Sequence, residues 1–188
     1  MSCGPHLRHC RQRGAGLVEV AIALLVLAIG ALGLGSLQIA AKRMGFEAIQ
    51  RTEAAALASD LLARLRANPL ALPAYASTGI GEASGAQLPP PGADCDRGGC
   101  APAAWAAWDL WQWQQALDGV ATGGGAGGLV RPTGCVRVNG RQVVVEIAWQ
   151  GFRPLSAPPG EAACGAGSYG PADADRQWLR MGTWIGAQ

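Results

Sequence analysis

Histidine is almost missing from this chain: His6 and His9 are the only two, and both precede residue 15. From Ala15 onward, histidine-based triads, histidine-assisted cysteine nucleophiles and histidine-ligated catalytic metals are therefore excluded. A carboxylate enzyme would need a matched pair of Asp or Glu residues, and none stands out. The glycines of Gly123 to Gly128 follow no strand signal and lack the Lys-Ser/Thr of a phosphate loop. Strong charge is missing as well. The formal net charge is +2, but residues 1–14 hold three arginines and no acid, which leaves 12 basic against 13 acidic residues beyond them. A balance near −1 lacks the basic face that nucleic-acid binding needs. Composition thus argues against an enzyme, a bound cofactor and a nucleic-acid partner.

What is present begins with an apolar run from Leu17 to Leu37 that carries one carboxylate, Glu19. Such a run is long enough to cross a bilayer, which takes roughly 20 apolar residues. A charge near the start of a spanning helix costs a few kcal/mol, so it usually has a partner or a task. The leader ahead of it carries only basic side chains, Arg8, Arg11 and Arg13. Basic flanks stay cytoplasmic, which places everything after about residue 40 in the periplasm. The natural partner for Glu19 is an amine created by cutting after Gly14, at Ala15. A stray carboxylate in an ordinary anchor is the plainer alternative.

Gly14 followed by Leu17-Val18-Glu19-Val20 resembles the class III signal of type IV prepilins and type II secretion pseudopilins. The resemblance implies cleavage between Gly14 and Ala15 by a prepilin peptidase, N-methylation of Ala15, and an assembly role for Glu19 as the fifth residue of the mature chain. Ala15 and Gly16 stand where that family usually has Phe and then Ser or Thr.

Cys3 and Cys10 belong to the leader, which leaves Cys95, Cys100, Cys135 and Cys164 in the exported part. Four cysteines in an oxidising compartment suggest two disulfides, with three connectivities open. Cys95 with Cys100 and Cys135 with Cys164 is the favoured set, since Asp96-Arg97-Gly98-Gly99 makes a short loop that glycine lets turn sharply. Without paired CxxC spacing, a zinc site is the weaker use of these thiols, and no metal is expected.

Beyond the apolar run, charges appear from Lys42 to Arg66, while Phe46, Ile49, Leu57, Leu61 and Leu65 keep one apolar stripe. Asn68-Pro69 ends the pattern, because a residue before proline disfavours helical backbone. Unbroken from Ala15 to Ala67, the helix would be roughly 80 Å long at about 1.5 Å per residue. Gly30, Gly33 and Gly35 each weaken it by about 1 kcal/mol relative to alanine. They serve either close packing, with Ala31 and Gly35 on one face, or a segment that melts on leaving the membrane.

Residues 70–104 are rich in Ala, Gly, Pro and Ser and read as a long loop. Residues 103–117 form a short helix with Trp105, Trp108, Trp111 and Trp113, either core packing or an aromatic contact surface; the Gly123 to Gly128 tract ends it. Val136 to Val138, Asn139-Gly140 and Arg141 to Trp149 read as a hairpin turning at Asn-Gly. In its second strand Val143, Val145, Ile147 and Trp149 make one apolar face. A Pro/Gly-rich loop runs through Gly170, and Gln177 to Ile185 supplies a closing strand.

The expected fold class is α+β, a long helix laid on an antiparallel sheet, and it is similar to the pilin fold. Its parts are a leader (1–14), a transmembrane or filament-core helix (15–41), an amphipathic continuation (42–68) and a disulfide-bonded periplasmic head (69–188). Ile29 to Gln38 and Asp109-Leu110-Trp111-Gln112-Trp113, with Leu117 and glycines after, resemble the minor pilins called PilV, the type IV pilus modification proteins. That resemblance implies a structural and assembly subunit of the inner membrane and then the pilus. Its implied partners are the prepilin peptidase, other minor pilins, the major pilin, the inner-membrane assembly platform and, at the tip, an adhesin. A minor pseudopilin of a type II secretion system is the near alternative. A membrane-tethered periplasmic binding module or enzyme is the distant one.

Overall fold

The computed structural model describes residues 16–119, 129–152 and 164–186. Helix α1 (Leu17–Ala67) is a single 51-residue element. Glu19 in its first turn and Arg64 and Arg66 in its last match the positive and negative ends of the helix dipole. At Asn68 the backbone leaves the helical region (φ −125°, ψ 58°), as the following proline requires. The chain divides between Arg43 and Met44 into two compact units.

In the first unit the apolar side chains of α1 are solvent-facing; Leu17, Ile22, Leu27 and Leu34 are each more than half exposed. The helix is long and apolar enough to cross a membrane. The second unit begins within α1, and the helix joins the head's core from Ala54 onward, whereas Phe46 and Ile49 of the expected stripe are more than half exposed. Its stripe buries Ala54, Leu57, Ala58, Leu61, Leu62 and Leu65.

Those residues pack on a four-stranded antiparallel sheet in the order β1-β2-β3-β4: β1 (Ser77–Ile80), β2 (Thr133–Asn139), β3 (Gln142–Gln150) and β4 (Arg176–Trp184). A long N-terminal helix on such a sheet is the pilin α+β architecture. The apolar row of β3 points into the core, with Val143, Val145 and Ile147 fully buried and Trp149 nearly so. Helix α2 (Pro102–Leu117) adds Trp113, whose indole N–H donates to the Leu57 carbonyl of α1 at 2.9 Å. Gly134 in β2 makes this approach possible. A Cβ there would lie 2.3 Å from the Trp113 ring, so any side chain would displace it.

Four sequence expectations are corrected. Residues 70–104 are not one loop: a 3-10 stretch (Pro69–Tyr75) and β1 lie within or overlap them. Neither has a periodic pattern, and β1 exists because it pairs with β2, a tertiary cause that four residues cannot announce. The hairpin turns one residue later than Asn139-Gly140. Asn139 pairs with Gln142, which leaves Gly140-Arg141 as the loop, with Gly140 at φ 59°. Glycine at the first central position is what a type II′ turn demands. Only Trp113 of the four tryptophans is fully buried, while Trp105, Trp108 and Trp111 are half-buried on the flank of α2. The closing strand begins and ends one residue earlier than expected, and the tract Gly123 to Gly128 lies outside the described residues.

Candidate functional site

Two places hold the chemistry this chain has: the first turns of α1 and a polar seam between α1 and α2. At the first, Glu19 sits in the opening turn, with its backbone N–H bonded to the Gly16 carbonyl at 2.8 Å. Its carboxylate is exposed among Leu17, Val18 and Val20. Gly14 and Ala15 lie outside the described residues. Further along, Gly30, Gly33 and Gly35 have open space where a Cβ would project, and the Ser36 hydroxyl donates to the Gly33 carbonyl at 2.8 Å. No described residue of the first unit fills that small-residue strip, so a second helix has room to approach it closely.

The second place was not legible from the chain alone. Asp109 is buried on the core-facing side of α2. It accepts from the Tyr75 hydroxyl at 2.5 Å and from Arg64 Nη1 at 3.2 Å. Arg64 also bonds Asp60 and Gln112, and the Asn68 amide donates to Tyr75 and to the Pro102 carbonyl. A lone acid inside the apolar Trp108-Asp109-Leu110 stretch was the available signal, of the same kind as Glu19 in its own run. This seam ties the end of α1, the 3-10 stretch and the start of α2 into one joint. Burial works against the charge of Arg64, but Asp60 and Asp109 more than offset it and raise its pKa.

Disulfides tie the periphery. Cys95 bonds Cys100, and Cys135 of β2 bonds Cys164, which is the favoured pairing. The second anchors the loop before β4, where Tyr169 is fully buried. The Tyr169 hydroxyl lies 3.1 Å from the Arg131 and Ala148 carbonyls and from the Thr133 hydroxyl. On the sheet's outer face Glu146, nearly buried, pairs with Arg137 at 2.5 Å and Arg180 at 2.8 Å. Among the described residues no cluster of acids, cysteines or histidines could hold a metal ion.

The chain has only two tyrosines, and both phenols resist ionisation. Burial, followed by the Asp109 carboxylate, pushes Tyr75 well above its ordinary value of 10.0. Burial pushes Tyr169 up to about 12. Each phenol therefore stabilises the fold fully below pH 10, and that contribution is lost as pH climbs through the folded-state value. Phenolate absorbance of the folded protein should thus stay flat through pH 10 and rise only near 12 or beyond, whereas the urea-unfolded chain titrates near 10. A folded chain titrating at the free-tyrosine value would refute both buried hydroxyl networks.

Residues 36–111 match the family model described as Tt1218-like, type IV pilin Tt1218. The match supports a type IV pilin subunit. It runs from the apolar part of α1 through the amphipathic stripe, the 3-10 stretch and β1 to Trp111 in α2, and thus takes in Arg64, Asn68, Tyr75 and Asp109. It does not reach Gly14, Ala15 or Glu19. No curated protein and no solved structure shows significant similarity to the chain. The pilin likeness points to a structural subunit that assembles with other pilins, and the exposed apolar helix is consistent with membrane anchoring.

Proposed function

We propose that this chain is a minor pilin of the PilV kind, a structural subunit that primes, caps or modifies a type IV pilus. The observation that carries the reading is the split character of α1. Its later half supplies the core of a disulfide-bonded head, while its earlier half exposes an unbroken apolar surface with one carboxylate and an open glycine strip. A soluble domain would bury that surface, since contiguous exposed apolar patches are costly unless lipid or protein covers them. The bilayer covers it before assembly, and neighbouring pilins cover it afterwards.

On this reading residues 1–14 are removed by the prepilin peptidase and Ala15 is methylated. The head works in the periplasm, with other minor pilins, the major pilin and the inner-membrane assembly platform as partners. The head's job is shape, not catalysis. The intact mass of protein extracted from membranes should correspond to a chain starting at Ala15 with one added methyl and two disulfides. Retention of the leader, or cleavage near Gly33 to Ser36, would defeat the proposal. Deleting the gene should reduce piliation and leave protein secretion intact, and the reverse result would assign the chain to a secretion pseudopilus.

A further inference from the structure

Among the described residues the sheet ends on an unusually open edge. β4 is nine residues long, keeps continuous register with β3 from Arg176 to Trp184, and contains neither proline nor bulge. Natural proteins normally blunt such an edge, because its free N–H and C=O groups are a template for another strand. Two hydrogen bonds settle which groups are free. The Ile185 N–H donates to the Arg141 carbonyl, and the Asp175 carbonyl accepts from the Gly151 N–H. In an antiparallel ladder the backbone direction alternates, so the odd-numbered residues of β4 turn towards β3. Arg176, Trp178, Arg180, Gly182 and Trp184 turn outward, and no backbone partner meets them among the described residues. The side chains of the same residues line the outer face of the sheet, where Trp178 is 39% and Trp184 69% exposed. Tryptophan and arginine around a desolvatable edge are the composition of an interface centre.

We propose that β4 pairs antiparallel with β4 of a second copy of this chain, in the register that sets Met181 opposite the second copy's Met181. In that register the outward-turned residues exchange hydrogen bonds with one another. Trp178 faces Trp184 across the junction, and Arg180 faces Gly182, which leaves room for the long side chain. On the inner face Leu179 lies opposite Thr183 and methionine opposite methionine. No like charges oppose. Sliding the pair by two residues in one direction sets Arg180 against Arg180, a destabilising pair, and sliding it in the other separates Trp178 from Trp184. A one-residue slip faces outward groups with inward ones and forfeits the ladder. The edge is therefore complementary to itself, as a two-fold interface requires. The pairing does not rest on the pilin reading and can fail without affecting it.

The test uses the full chain in detergent. Opposite residues of a non-hydrogen-bonded pair have Cα atoms about 4.5 Å apart, within the range of roughly 4.4–6.8 Å that a disulfide spans. Met181→Cys should therefore form a covalent dimer under mild oxidation. Leu179→Cys alone and Thr183→Cys alone should not, because four residues of strand hold each about 13 Å from its own copy; mixed together they should cross-link. Gly182→Pro removes an outward N–H and leaves the bonds to β3 in place. It should convert the dimer of the unmodified chain to a monomer while the far-ultraviolet circular dichroism of the chain is retained. A monomeric unmodified chain, cross-linking at 179 or 183 alone, or a dimer that survives Gly182→Pro through its apolar helix would each overturn the proposal. So would an edge filled by the strand of a different protein.

Discussion

Trp113→Ala is expected to remove about 3–5 kcal/mol of stability from the head, the usual cost of emptying a buried tryptophan site. Single domains hold only about 5–15 kcal/mol in total, so the variant should be marginal or unfolded at ordinary temperature. The cause is specific. Trp113 is fully buried, donates its indole N–H to the Leu57 carbonyl, and sits against the bare backbone of Gly134. Removing it deletes the indole hydrogen bond from α2 to α1 and the ring contact of α2 with β2. Gly134→Val attacks the same contact from the other side, because its Cβ would begin 2.3 Å from the Trp113 ring. Urea unfolding of the full chain in detergent, followed by tryptophan fluorescence, should show a large fall in midpoint for both variants. Midpoints equal to the parent's would mean that α2 is not part of the cooperative core.

Glu19→Ala is expected to leave the head folded and the leader cleaved, yet to abolish or sharply reduce incorporation with partner pilins. Glu19 stands in the opening turn of α1 on an exposed apolar surface, outside the core of the second unit, so head stability does not depend on it. In the proposed mature chain its carboxylate pairs with the methylated amine of Ala15, in its own chain or the neighbouring subunit's. Methylation keeps the positive charge and adds apolar surface. At about 4 Å, opposite charges attract by roughly 4 kcal/mol at an effective dielectric near 20, before desolvation is subtracted. A slip of one residue moves the charges about 1.5 Å along the helix, so the pair can align subunits axially. Co-purification with other minor pilins and piliation counts are the measurements, with Glu19→Gln as the isosteric control. Normal values for both variants would show that the carboxylate is incidental.

The sequence by itself determined the long helix, its change of character near residue 42 and its stop at Asn68-Pro69. Each rests on local physics: an apolar run of bilayer length, a 3.6-residue stripe, and a proline that forbids the preceding residue its helical backbone. The hairpin was legible for the same reason, since alternation in Val143, Val145, Ile147 and Trp149 marks one buried face whatever the neighbours are. The four cysteines narrowed the disulfides to three sets through compartment and spacing. The tertiary structure decided what depends on residues distant in the chain. β1 is a strand because β2 lies beside it. Trp113 rather than its three neighbours fills the core because Gly134 leaves space for its ring. Asp109 is tolerated on a buried helix face because Tyr75 and Arg64 arrive from two other elements. Glu146 is held on the outer face by arginines of β2 and β4. Local pattern reports which surface of an element is apolar; which polar groups can be buried, and which edge stays open, is fixed only when the elements meet.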